Sequence, residues 1–157
     1  MNTETTILSD LVTIIEPIYH RIVFSNNVDP VEVLAYFNVR SKCNDCDYAY
    51  LKVVRIRKSF LTNKEEFFLK PSDIVLSVKG CHIGTVTIVP SQIPDMKWII
   101  SGGCVALRIK NDSTDPQELF DYLKSEKAQM DLQALIRGKQ AGYISIEDLV
   151  NMRIMAC

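Results

Sequence analysis

Two cysteines form the motif with the clearest chemical potential in this sequence. Cys43 and Cys46 stand in a CxxC arrangement, which binds zinc when further ligands complete a tetrahedral site. Cys81, His82 and Cys104 are available elsewhere, but no second close pair has the spacing of a zinc finger. A redox CxxC would open a helix in a βαβ unit, and that pattern is absent. We expect loop cysteines here, with a zinc-dependent enzyme as a weaker alternative.

The residues needed for nucleophilic catalysis or phosphate binding are also poorly represented. His20 and His82 are the only histidines, and there is no Gly-x-Ser-x-Gly elbow. A glycine pair, Gly102-Gly103, stands between two predicted strands, without the helix start and lysine that a phosphate-binding loop requires. The sequence therefore predicts a protein that is not an enzyme and that binds no cofactor.

Cations close to glycines are the remaining candidates for function. Lys and Arg neutralise DNA phosphates, while Arg, Lys and Gln also read base edges in the major groove. We expect the glycines to shape the loops, and Arg137 and Gln140 to be the preferred base readers. The candidates lie at a strand end (Arg55, Arg57, Lys58), at a hairpin tip (Lys79, Gly80, His82, Gly84) and in a loop after the last long helix (Arg137, Gly138, Lys139, Gln140).

Charge is distributed unevenly along the chain. The 157 residues have a net charge of -1 and a pI near 6.1, which gives no overall signature of nucleic-acid binding. Residues 52–80, however, contain seven Lys or Arg and three Asp or Glu, and acidic segments flank them. A solvated surface or a protein-interaction module without DNA contact would also fit. That module predicts Lys79, Arg137 and Lys139 on different faces, whereas DNA binding requires one contiguous basic surface.

Composition and length predict one folded domain over residues 1–157. Hydrophobic residues make up 47% of the chain and charged residues 24%, as in ordinary globular proteins. Apolar stretches are too short to span a bilayer, and the polar N-terminus lacks the basic region of a secretory signal. Five irregularly spaced cysteines fit reduced thiols. We therefore expect a cytoplasmic protein that does not associate with membranes.

Hydrophobic periodicity divides the chain into a β-rich middle and a helical end. Alternating residues predict strands at 50–56, 73–79, 85–89, 98–101 and 104–109, with glycine-bounded hairpins at 80–84 and 102–103. Asp115, Ser125 and Ser145 are typical helix starts, and Gly138 is placed as a helix C-cap. Residues 9–15 predict a short helix that Pro17 ends, whereas residues 29–39 fit helix or strand. This order predicts an α+β domain.

A longer comparison of motifs adds to this prediction. The first motif is an Asp-Ile-Val-Leu-Ser-Val-Lys-Gly pattern within residues 69–80, followed by Ile-Gly at 83–84 and a Val-rich strand at 86–89. The second is a predicted helix at residues 115–125, which begins with Asp-Pro and ends with Tyr-Leu-Lys-Ser. The third is a series of Gly-Lys-Gln, Ile-Ser, Leu and Ile within residues 138–154. In this order they resemble the target-recognition domains of specificity subunits in type I restriction–modification systems. Residues 8–15 and 50–56 resemble the family's opening helix and an earlier strand. Ser72 replaces the usual Gly, and Lys139 the frequent Ser or Thr.

The resemblance implies a fold, a function and partners. It implies a curved mixed or antiparallel β-region with C-terminal helices, which recognises DNA bases and does not itself catalyse a reaction. The implied partners are double-stranded DNA, a DNA adenine methyltransferase subunit or fused domain, and a restriction subunit. The family's long spacer helix does not follow residue 154, so we expect a recognition domain taken from a longer chain.

Overall fold

The computed structural model describes residues 5–18, 31–37, 53–80, 82–91, 97–100 and 102–155, with only the backbone given at 31–37, 53 and 54. Within these ranges the strands form sheets of two, four and three strands, and the longer helices follow them. The α+β fold class expected from the sequence is confirmed. No helix in these ranges has both the length and the apolar character needed to cross a bilayer.

The N-terminal segment differs from the prediction. Strand β1 (Thr5–Ile7) leads into a single helical turn, α1 (Leu8–Leu11), and then into strand β2 (Val12–Ile15). The predicted helix over residues 9–15 is therefore wrong after Leu11. The run Val-Thr-Ile-Ile is β-branched throughout, which favours extended backbone, and β2 pairs antiparallel with the later strand β8 (Cys104–Ile109).

The four-stranded sheet forms the middle layer of the fold. It has the order β2-β8-β5-β6, with β5 at Ile74–Ser77, β6 at Val86–Ile88 and β8 at Cys104–Ile109, all antiparallel. The predicted hairpin of β5 and β6 is confirmed. Strand alternation directs Ile74 and Leu76 toward the helices, while Val75 faces the opposite side. The sheet is consequently buried on both faces.

A three-stranded sheet covers the side of the middle layer away from the helices. It has the order β4-β3-β7, formed by Val53–Arg57, Val31–Phe37 and Lys97–Ile100. Residues 31–37 are thus a strand, which resolves the ambiguity of that segment. The predicted hairpin around Gly102-Gly103 is wrong, because β7 pairs parallel with β3 while β8 pairs with β2 and β5. Trp98 and Ile100 pack toward Val75 and its neighbours.

Three helices cover the other face of the middle sheet. They are α3 (Pro116–Lys124), α4 (Glu126–Ala134) and α5 (Ile146–Val150), followed by β9 (Arg153–Met155). The predicted N-caps are confirmed, since the side chains of Asp115, Ser125 and Ser145 each accept a backbone N–H. The predicted C-cap at Gly138 is wrong, because α4 ends at Ala134 with Leu135 as its C-cap. Gly138 lies in the turn that follows.

A tight turn leads into β5 at the position where the sequence departs from the family pattern. Asp73 N donates to Lys70 O (3.1 Å) across Pro71 and Ser72, and Ser72 has φ +70°. Proline followed by a residue of positive φ is typical of a type II turn, in which glycine is favoured at the second central position. Ser72 therefore occupies a site where the backbone prefers glycine, as the resemblance implies.

Candidate nucleic-acid interface

Residue Lys79 and the loop after α4 meet at one edge of the molecule. Tyr143 forms isolated antiparallel bridges with both Lys79 and Arg137. Arg137 and Tyr143 exchange backbone hydrogen bonds of 2.8 and 2.9 Å, and Gly80 N donates to Gly142 O at 3.3 Å. The loop is therefore a short extension of the β-structure. We name the surface formed by residues 79–80 and 137–143 the loop face.

Backbone hydrogen bonds to the middle sheet fix the loop face. Val78 N and Lys79 N both donate to Gly103 O, at 2.8 and 3.0 Å, and Ile144 N donates to Val78 O at 2.8 Å. Val78 and Ile144 are buried, so these bonds are shielded from water and hold the strand ends in place. The Lys79 side chain remains exposed and extends from a fixed backbone.

The tip of the β5–β6 hairpin lies beside the loop face and packs on α4. His82 is exposed, whereas Gly84 is buried and has φ +91°. A Cβ at Gly84 would lie 2.9 Å from Gln129 Oε1. Gln129 Nε2 donates to Gly84 O (2.9 Å) and to Leu123 O (2.7 Å). Gly84 thus permits close packing of the tip on α4, and Gln129, which the sequence did not indicate as a site residue, holds that tip.

Arg137 is held by a carboxylate on α5. Its Nη2 and Nε lie 2.7 Å from Asp148 Oδ1 and Oδ2 respectively, and Ser145 Oγ donates to Asp148 Oδ2 at 2.7 Å. The Ser145 hydroxyl and then the Arg137 guanidinium lower the pKa of Asp148, while Asp148 raises the pKa of Arg137. The bidentate pair fixes the start of the loop and engages the Nε and Nη2 atoms of Arg137, which leaves fewer of its five N–H donors for a base contact.

Lys139 and Gln140 occupy the exposed tip of the same loop. Gly138 has φ +93°, and a Cβ there would lie only 2.7 Å from Ala141 O. The turn is therefore too tight for other residues, and it presents Lys139 and Gln140 to solvent. Tyr143 is 42% exposed at the base of the loop. An aromatic residue close to these cations in the sequence was the signal that could have identified Tyr143 as part of the candidate site, and the sequence prediction left it out.

A cleft adjoins the loop face at Lys79 and Tyr143. It has a volume of about 370 Å³, and Glu16 and Pro17 line it together with the two loop-face residues. The buried Cys104 at the start of β8 also lines it. The combination of an ammonium group, a phenol and apolar walls gives this cleft both polar and apolar contacts to offer a ligand.

The third predicted group lies on a different sheet. Arg55 and Arg57 are exposed on β4, with Ile56 buried between them, and the exposed Lys58 begins helix α2 (Lys58–Leu61). Alternation along the strand places both arginines on its outer face. The structure thus joins the hairpin tip and the loop after α4, through residues 79–80, 82–84 and 137–143. It places Arg55 and Arg57 on the three-stranded sheet and Lys58 on the helix that follows it.

One buried ion pair stabilises the scaffold beneath these surfaces. Arg108 on β8 binds Asp73 through two hydrogen bonds of 2.9 and 2.7 Å. The same guanidinium donates to Glu66 O (3.1 Å) and Phe68 O (2.8 Å). Asp73 is only 2% exposed. Arg108 therefore links the segment before β5 to the centre of the sheet.

The described ranges contain no cluster of three or more His, Cys, Asp or Glu side chains arranged to hold a metal ion. Cys43 and Cys46, on which the zinc alternative depends, lie outside the described residues, as does Cys81.

Comparison with solved structures identifies similar folds. An S subunit of a type I restriction–modification system from M. genitalium superposes with a TM-score of 0.56 at 16% identity over 97% of this chain. The HsdS subunit from Thermoanaerobacter tengcongensis gives 0.54 at 15% over 96%. A chain from a structure describing complex assembly and conformational transition of the type I R–M system gives 0.61 at 16% over 96%.

This chain spans 34% to 37% of the length of those three proteins. No family model matches the sequence, and no curated protein matches it either. The similarity is therefore one of fold, and it agrees with the fold that the motif order resembled.

Proposed function

We propose that this chain is a target-recognition module of a restriction–modification system, which binds double-stranded DNA in a sequence-specific manner and is not itself catalytic. The fold shared with type I S subunits supports this proposal. In the proposed module Lys79 and Lys139 bind phosphates, Gln140 reads a base edge, and His82 lies beside them at the hairpin tip.

The observation that carries the proposal is the joining of Lys79 and the 137–143 loop through Tyr143. Lys79 and Arg137, which are 58 positions apart in the sequence, thereby contribute to one exposed edge. A contiguous cationic surface is what a duplex requires, and an interaction module without DNA contact gives no reason for it. The ion pair with Asp148 supports a role for Arg137 in positioning the loop, and in the proposed module Lys139 and Gln140 make the contacts.

Methylation and cleavage would belong to partners. One is a DNA adenine methyltransferase, present as a separate subunit or as a fused domain, and a restriction subunit is the other. A partner that closes around the duplex would add phosphate contacts, so we expect the chain to bind DNA more tightly in its presence.

The test is selection of duplexes from a random-sequence pool by the purified chain at low salt, with and without an adenine methyltransferase partner. Enrichment of a short fixed motif is the expected result, because base contacts discriminate between sequences whereas phosphate contacts do not. Salt-sensitive binding without enrichment would contradict sequence-specific recognition. An absence of duplex binding in both conditions would favour the protein-interaction module, for which the net charge of -1 provides independent support.

A further inference from the structure

A second exposed surface combines cations with an aromatic ring. Residues 53–64 contain four cations and no carboxylate. Phe60 lies on α2 among them and is 39% exposed, which makes it one of the few large apolar side chains exposed in the described part of the chain. We name this surface the cationic face; its members are Arg55, Arg57, Lys58, Phe60 and Lys64.

The fold presents Phe60 from a fixed position. Its neighbour Leu61 is 5% exposed and packs in a cluster with Ile56 and Ile99. After α2 the chain turns back at Asn63, which has φ +58°, and Lys64 N donates to Leu61 O at 3.2 Å. This anchoring limits how far the ring can move inward to escape water. The exposure of Phe60 is thus a property of the folded segment.

The position of Lys64 defines which part of the ring is available. Lys64 Nζ lies 4.9 Å from the centroid of the Phe60 ring, a cation–π geometry. Insertion between two base pairs needs both faces of a ring, and here a cation covers one face. The edge and the other face are left for contact with a base edge in a groove. A phenyl ring offers nothing to a phosphate, whereas the surrounding cations do.

We infer that Phe60 makes an apolar contact with a DNA base, while Arg55, Arg57, Lys58 and Lys64 bind the phosphates on either side of it. The inference rests on the proposed function and adds a base-contacting residue outside the loop face. Charge complementarity selects DNA as the occupant, because Lys64 lies over the ring and the exposed Arg57 and Lys58 precede it closely in the sequence. The exposed Glu65 and Glu66 mark the acidic limit of this surface.

The experiment compares Phe60→Ala with the unmodified chain on two duplexes, one carrying the selected motif and one with the same bases scrambled. We expect Phe60→Ala to weaken binding to the selected duplex by about 5- to 50-fold, the effect of one good base contact, with little change on the scrambled duplex. The dependence of affinity on salt should be unchanged. Arg57→Ala should instead weaken both duplexes and reduce the slope of log K against log salt by about 0.9.

Two controls separate contact from folding. Met130→Ala removes the one methionine of α4, which is 65% exposed, and should change the affinity for neither duplex. Phe60→Leu keeps an apolar side chain on α2 and should retain most of the affinity that Phe60→Ala loses. Unchanged binding of Phe60→Ala to the selected duplex would overturn the inference, as would equal losses on both duplexes. If the unmodified chain binds no duplex or enriches no motif, the proposed function fails first and this inference fails with it.

Discussion

Single side chains show how much of the fold depends on polar groups. Arg108 and Asp73 form a bidentate pair in which the carboxylate is almost completely buried. Lys70 N also donates to Asp73 Oδ2 at 2.8 Å. Arg108 and the Lys70 N–H together satisfy the Asp73 carboxylate. Removal of Arg108 would leave that buried negative charge without a counter-charge.

Replacing Arg108 with Met should lower the free energy of unfolding by about 3–5 kcal/mol, because Asp73 would lose its counter-charge and two backbone carbonyls would lose their donor. Denaturant unfolding monitored by circular dichroism measures the change. Lys127→Met is the matched control, since Lys127 pairs with Asp131 on the surface of α4; because water screens an exposed pair, this variant should change stability far less than Arg108→Met does. Equal effects in the two variants would show that the Arg108 pair contributes no more than a surface pair.

The secondary-structure elements divide into those that local sequence determines and those that it does not. Helices α3, α4 and α5 were predicted because their capping residues and apolar spacing act within one or two turns. Strand β2 was mistaken for helix, because its apolar residues fit a helical spacing while its pairing partner β8 lies more than 90 residues away. The separation of β7 and β8 into two sheets likewise depends on distant partners.

The candidate surface was predictable to a similar extent. Cations and glycines in loops were visible in the sequence, as was the order of motifs. The bridges through Tyr143 and the pairing of Arg137 with Asp148 were not, because the bridges depend on backbone geometry and the ion pair depends on where α5 places its carboxylate. Arg137 was consequently expected to read bases, and we now propose that it positions the loop.

The connection between the 137–143 loop and α5 should depend on pH. Hydrogen bonds from Ser145 and Arg137 lower the pKa of Asp148 below its usual value of 3.8. A carboxyl with a lowered pKa in the folded state stabilises the fold fully above the unfolded pKa, and this contribution disappears as pH falls through the folded pKa. The difference in unfolding free energy between the unmodified chain and Asp148→Asn should therefore be fully present above the usual pKa of 3.8 and shrink as the pH falls below it.

Urea unfolding at a series of pH values checks this expectation. Lys139→Met serves as the control. It removes a cation from the same loop, and the partner of Asp148 in that loop is Arg137. The difference in unfolding free energy between Lys139→Met and the unmodified chain should not shrink with falling pH as it does for Asp148→Asn. A constant difference for Asp148→Asn across the pH series would mean that the ion pair does not hold the loop.

The molecule as a whole has almost no net charge, so its affinity for DNA must come from local surfaces. If Lys79 and Lys139 each neutralise one phosphate, replacing either with Ala should reduce the slope of log K against log salt by about 0.9, and replacing both should reduce it by about twice that amount. Fluorescence anisotropy titrations with a short duplex at several salt concentrations measure these slopes.

Lys110→Ala is the control for these titrations. Lys110 Nζ donates to Ser9 O at 2.5 Å on the part of the fold that joins β8 to α1, away from the bridges of Tyr143. Its removal should leave the slope unchanged. Unchanged slopes for Lys79→Ala and Lys139→Ala would exclude both residues from the DNA contacts.

The pairing of β1 with β9 places Thr5 opposite Met155 and Ile7 opposite Arg153. The described part of the fold therefore begins and ends at the same two-stranded stem, a geometry that lets a larger polypeptide carry such a unit at one point of attachment. Such a unit can be exchanged for another of the same stem geometry without rerouting the host backbone. For a module proposed to choose a DNA sequence, this means that a new specificity could arise by transplanting the whole unit, with no need to change its loops residue by residue.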